Sequence, residues 1–158
     1  MEFGNIEREI YVEASPEIVF EVVSSPDHLQ QWWPDEANYE RAQGATGAIV
    51  FGQGADKTVV PFTVIDAQPP HTFSFRWTQP VDETADVGNS LLVTFDLRAS
   101  GAGTLLTMTE SGFREMGWET ALLEQQYNDH VSGWTYYLPR IAPYVATLSN
   151  LSAATAQP

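Results

Sequence analysis

The stretch His130–Val145 reads HVSGWTYYLPRIAPYV, and its reading decides the fold. Val131, Trp134, Leu138, Ile141 and Val145 recur at helical spacing, so one face of a helix is destined for burial. Pro139 and Pro143 fall inside the same pattern, where each removes a backbone donor and crowds the preceding turn. A helix with this much apolar surface and two internal prolines is expected to bend near Pro139 around a curved partner, with Trp134 on the concave side. Gly133 is expected to let the backbone pass close beside Trp134. The helical segment should begin between Glu119 and Gln126 and end near Leu148.

The partner must come from upstream. Ile6–Ala14 alternates, with Ile6, Ile10 and Val12 on one face and Glu7, Glu9 and Glu13 on the other, as a half-buried strand does. Two short helices follow. Ser15 caps the first, with Pro16 in its first turn and Glu17 near its positive end; Ser25 and Pro26 repeat that opening for a second, which ends on Trp32 and Trp33. From there to about residue 110 the chain reads as strands and turns. TVVPFTVIDAQ carries Pro61, which favours an edge or a bulge. TFSFRWT sets Phe73, Phe75 and Trp77 on one face, and SLLVTFDLR does the same with Leu91, Val93, Phe95 and Leu97. The spacings fit an antiparallel meander joined by hairpins. Its apolar face needs a cover, and the long helix is the largest element available. The expected class is α+β, with about seven antiparallel strands curved around a C-terminal helix. Residues 1–148 should form one domain, followed by a flexible tail over 149–158.

Composition narrows the function. The 158 residues can bury roughly 70% of their unfolded surface without staples. Cysteine is absent, which removes disulfides, thiolate metal sites and cysteine nucleophiles. A net charge of −14, from 21 acids against 7 bases, repels phosphate backbones and anionic lipid, so neither nucleic acid nor membrane is expected as a partner. With no leader pattern and no apolar run of spanning length, a cytoplasmic location is expected.

Four patches then carry a resemblance: ASPEIVFEVVSSPDHLQQWWP from Ala14, FTVIDAQPPHTFSFRW from Phe62, GTLLTMTESGF from Gly103 and HVSGWTYYLPRI from His130. Together the chain resembles the helix-grip fold of the START-like, Bet v-like superfamily. Within it, the chain is similar to stand-alone relatives of the C-terminal domain of heat-shock chaperone ATPase activators. The resemblance implies a pocket between the long helix and the sheet, filled in many relatives by an apolar or aromatic small molecule. It implies no single reaction, because the fold hosts binders, transfer proteins and enzymes. No counterpart of the N-terminal chaperone-contacting domain is present, so ATPase stimulation is not expected, and a chaperone partner stays open.

The residues expected to line such a pocket are Trp33, Phe51, Phe62, Phe73, Phe75, Trp77, Phe95, Met108, Trp134, Tyr137 and Leu138. The bland alternative is that they fill a core. Polar groups on an apolar face are more telling. Arg8 shares parity with Ile6 and Ile10, and Glu110 with Leu106 and Met108, so the two either meet as an ion pair at one end of the cavity or reach water at their strand ends. His28, His71 and His130 have no ligand partner at helical spacing, so no metal and no cofactor are expected. The leading reading is a non-catalytic binder of a small hydrophobic molecule. An enzyme of the cyclase or hydratase type would draw its acid–base groups from Glu110, His130 and Tyr137, and a co-chaperone-like domain would show an exposed apolar patch instead.

Overall fold

A computed structural model describes residues 3–80 and 82–156, the side chains of 149–156 excepted. Strand β1 (Ile6–Val12) leads into helices α1 (Pro16–Ser24) and α2 (Pro26–Trp32). Then come β2 (Glu36–Asn38), β3 (Thr46–Phe51), β4 (Thr58–Gln68), β5 (Thr72–Trp77), β6 (Leu91–Ser100) and β7 (Gly103–Ser111). Helix α3 (Thr120–Tyr137) and helix α4 (Ile141–Ala156) close the chain, separated by a 3-10 turn at Leu138–Arg140. The helix expected to end near Leu148 runs on to Ala156, so most of the tail expected over 149–158 continues α4 as backbone, and only its residues 157–158 lie outside the described residues.

The seven strands form one antiparallel sheet in the order β1-β7-β6-β5-β4-β3-β2. First and last long strands are neighbours, with Ile6 opposite Glu110 and Val12 opposite Thr104. Strand β2 carries only three residues, too short for a periodicity to show it in the sequence. Pro61 stands opposite Ala48, while β5 begins to pair with β4 only at Phe62, so Pro61 lies where β4 has a neighbour on one side alone. The bulge in β4 comes later, between Val64 and Asp66.

Local chemistry sets the helices. The Ser15 hydroxyl accepts from the Ile18 amide and Pro16 starts α1, whereas Ser25 begins α2 without a side-chain cap bond. At the far end the α-helical pattern fails where Pro139 sits, and the chain tightens to a 3-10 turn before resuming as α4. Pro143 falls in the first turn of α4, where a missing donor costs little. Trp134, Leu138, Ile141 and Val145 are buried and Val131 is half-buried, the stripe that the spacing predicts. Helix α4 packs on β1, α1 and α2.

Rings fill the concave side of the sheet. Phe62 stacks on Phe75 at 4.2 Å and on Tyr39 at 4.5 Å, while Phe73 and Phe95 meet Phe75 at 5.9 and 6.2 Å. Trp32 is fully buried and spends its indole N–H on the Val22 carbonyl. The Tyr39 hydroxyl donates to the Ser24 carbonyl from a buried position. Burial pushes its phenol well above the usual range, with the Arg41 charge pulling more weakly the other way.

This gives an alkaline prediction. With Tyr39 held protonated in the fold, the unfolded chain releases its proton first, near pH 10. Stability is therefore complete below that pH and falls as pH rises above it. Urea midpoints measured from pH 8 to 11 should decline at the upper end, and Tyr39→Phe should make that decline shallower.

Candidate functional site

Glu110 is the polar centre of the molecule. It lies on β7 between buried Met108 and the strand end, and its side chain is 0% exposed. Burying a carboxylate without partners is costly, so its contacts are informative. Oε2 accepts from the Trp77 indole at 2.8 Å, and Oε1 accepts from the Trp134 indole at 2.8 Å. His130 Nδ1 lies 2.8 Å from the same Oε1. Indole nitrogens can only donate, so both carboxylate oxygens are acceptors. Facing an ionised carboxylate, which only accepts, the imidazole must donate through Nδ1 and so completes the set as a third donor.

Three elements converge to make this arrangement. Trp77 ends β5 and reaches across β6, because Trp77 pairs with Leu91 and Val93 pairs with Glu110. His130 and Trp134 sit four residues apart on α3, hence on one face. Gly112, with φ of 105°, follows β7 and turns the chain away from the sheet in a conformation that L side chains rarely adopt. Phe113 then packs edge-on against His130 at 5.4 Å.

Beside this hub an open cleft of about 250 Å³ is lined by Trp33, Phe51, Trp77, Asp129, His130, Gly133, Trp134 and Tyr137. Trp33, which follows α2, lies at its centre, with ring centroids 5.0 Å from both Trp77 and Trp134 and 5.9 Å from Phe51. The walls are aromatic and the polar groups few. His130 is 14% exposed and lines the cleft, and its Nδ1 is taken up by the fully buried carboxylate.

Of the residues expected to line a cavity, Trp33, Phe51, Trp77, Trp134 and Tyr137 line this cleft. Phe62, Phe73, Phe75, Phe95, Met108 and Leu138 lie beneath it, buried against one another. The four phenylalanine rings among them pack at centroid distances of 4.2–6.2 Å around Phe75, and this dense packing fills the space beneath the cleft.

Two expectations are corrected. Arg8 and Glu110 form no ion pair: Arg8 stands opposite Met108 on edge strand β1, is exposed, and donates to the Glu7 carbonyl. Three ring N–H groups already serve Glu110, and the long Arg8 side chain reaches water more cheaply than it could desolvate a guanidinium. Gly133 serves no close approach either, since a Cβ built there meets nothing within 4 Å. It leaves room in the cleft wall instead.

Asp129 and Gly133 were not singled out as lining residues from sequence. The signal was present in the i, i+3, i+4, i+7 row of His130, Gly133, Trp134 and Tyr137, which is one helix face. His28 bonds the Tyr144 hydroxyl through Nδ1 at 2.6 Å, joining α2 to α4, and burial raises the Tyr144 phenol above its ordinary range. Among the described residues no group of three or more His, Asp or Glu could hold a metal, and no helix is long and apolar enough to cross a membrane.

Comparison with known proteins agrees with the architecture. The family model described as activator of Hsp90 ATPase homolog 1-like protein matches residues 13–146. Protein NE0264 from Nitrosomonas europaea superposes with a TM-score of 0.73 at 11% identity, over 93% of this chain and 97% of its own. Protein MLL2253 from Mesorhizobium loti gives 0.68 at 18%, over 90% and 97%. The Aha1 dimer from Colwellia psychrerythraea, a solution structure, gives 0.61 at 20%, over 89% and 95%. At these identities the likeness is one of fold. No curated protein matches the sequence.

Removing the carboxylate tests the hub. Glu110→Leu leaves two indole N–H groups and the His130 Nδ1–H buried without an acceptor. At about 1–3 kcal/mol for each stranded donor, it should lower the urea-unfolding free energy by at least 2 kcal/mol. In the proton NMR spectrum of Glu110→Gln, the indole resonances of Trp77 and Trp134 should shift, while that of Trp32, bonded to Val22, should stay.

Proposed function

The chain belongs to the family of activator of Hsp90 ATPase homolog 1-like proteins, and from that premise we propose that it binds a small aromatic molecule in the cleft between α3 and the ends of β3 and β5. One observation carries the reading. Three of the five tryptophans, Trp33, Trp77 and Trp134, together with Phe51 line an open space that the tightly packed core beneath does not fill. Aromatic walls with a few convergent polar groups are the ordinary chemistry of a small-molecule site. Size supports a small ligand. A cavity of about 150 Å³ is enough for benzene, so about 250 Å³ admits one or two fused rings. A cytoplasmic location belongs to the same proposal.

A second reading, an enzyme acting by proton transfer, is favoured by His130, whose Nδ1 is bonded to buried Glu110 while the ring borders the cleft. That is how a carboxylate orients a general base. A co-chaperone-like role would call for a continuous apolar patch. The large exposed apolar residues Tyr11, Ile18, Val59, Val87, Leu122 and Tyr136 are spread over β1, α1, β4, the loop before β6, and α3.

Gly133 provides the test, because its Cβ position opens on empty space. Gly133→Leu fills the cleft wall without invading the core, and replacing a helical glycine should leave stability unchanged or raised by about 0.5–1 kcal/mol. Titration with naphthalene, followed by tryptophan fluorescence, should show saturable quenching in the native protein, because three tryptophans line the cleft. The folded Gly133→Leu protein should bind at least ten-fold more weakly. Equal binding by the two proteins would refute the cleft as the site.

A further inference from the structure

We infer that the ligand class is the hydroxylated aromatics, phenols and naphthols in neutral form, and that His130 Nε2 is the group that reads the hydroxyl. This rests on the cleft being the binding site. The inference follows from which atoms remain unused once Glu110 is satisfied. Both of its oxygens accept indole N–H groups, and the third donor is His130 Nδ1–H. A neutral imidazole with its proton on Nδ1 has a bare lone pair on Nε2, an acceptor and not a donor. A ligand carbonyl or ether has nothing to offer such an atom, whereas a hydroxyl does.

Orientation of the acceptor is fixed. The imidazole is held by the 2.8 Å bond to Oε1, by Phe113 edge-on at 5.4 Å and by Trp77 at 5.3 Å. Its carboxylate partner is itself pinned by two indoles from β5 and α3. Glu110 is thus a positioning residue that sets the tautomer, and a ring held in this way loses little freedom on binding.

Charge argues for a neutral ligand. Asp129 lines the cleft and is exposed at its rim, Glu110 lies behind it, and the whole chain carries −14. A carboxylated aromatic would enter against that field and find no hydrogen on Nε2 to bind. Tyr137 brings a hydroxyl to the cleft. Because it can donate as well as accept, it does not discriminate between these classes, which makes it the control position.

The experiment compares 2-naphthol, 2-methoxynaphthalene, naphthalene and 2-naphthoate on the wild-type protein at pH 8, by calorimetry or tryptophan fluorescence. One neutral hydrogen bond to a preorganised acceptor predicts that 2-naphthol binds about five- to ten-fold tighter than naphthalene or the methyl ether. The naphthoate should bind weakest. In His130→Phe the naphthol advantage should vanish while naphthalene binding persists; in Tyr137→Phe the advantage should remain. Equal affinities for naphthol and naphthalene overturn this inference and leave the cleft proposal intact, and so does an advantage lost with Tyr137→Phe alone. If no naphthalene derivative binds, both fall. Where a variant does not fold, the wild-type comparison still tests the ligand class, and equal affinities there overturn the inference.

Discussion

One buried carboxylate ties the sheet to its cover. Glu110 is surrounded by apolar side chains, and in that setting an unpartnered carboxylate would be among the costliest groups in the protein. It is retained because three N–H groups from two other elements meet it, two from α3 and one from β5. The arrangement specifies how α3 lies on the sheet. Apolar contact alone is non-directional, and its burial would tolerate small slides and rotations of the helix. Hydrogen bonds to a single carboxylate would not, since a shift by one residue would withdraw both His130 and Trp134 together.

The same three residues that satisfy Glu110 also build the cleft. Trp77 and Trp134 direct their N–H edges at the carboxylate, and both line the cleft, where Trp33 packs against them. His130 likewise bonds the carboxylate and lines the cleft. Structure and site are therefore one network, and the polar character of the cleft is set from behind by a residue that does not line it. Deeper in the sheet the picture differs. Phe62, Phe73, Phe75 and Phe95 pack against one another as an ordinary dense core, and the cleft opens beside it, where Gly133 contributes no side chain.

The fold was largely legible. Alternation in Ile6–Val12, Thr72–Trp77 and Leu91–Ser100 marks strands because a strand's two faces meet different solvents. The paired Ser–Pro openings mark α1 and α2, and the proline inside the closing stripe marks the 3-10 turn at Leu138–Arg140. The short strand β2 was not legible, since three residues carry no period. Within the site, Glu110, His130, Tyr137, Trp33, Phe51, Trp77 and Trp134 could be named, because a polar residue on an apolar face and a surplus of large rings are visible one-dimensionally. Their pairing could not. Parity suggested Arg8 for Glu110, but the carboxylate's true partners come from β5 and α3, 33, 24 and 20 residues away.

By itself, the sequence determined the order of elements, the buried stripe of the last helix, the point where that helix breaks, and the absence of thiol chemistry. These follow from short-range rules: side-chain period, capping and the missing proline donor act within a few residues. Tertiary structure alone decided which donors reach Glu110, that Arg8 turns to water, that the deep phenylalanines close on one another, and that room remains beside Gly133. Those outcomes depend on register between strands and on the summed volumes of side chains from remote segments. Neither quantity exists until the sheet has formed and the helix has been laid across it.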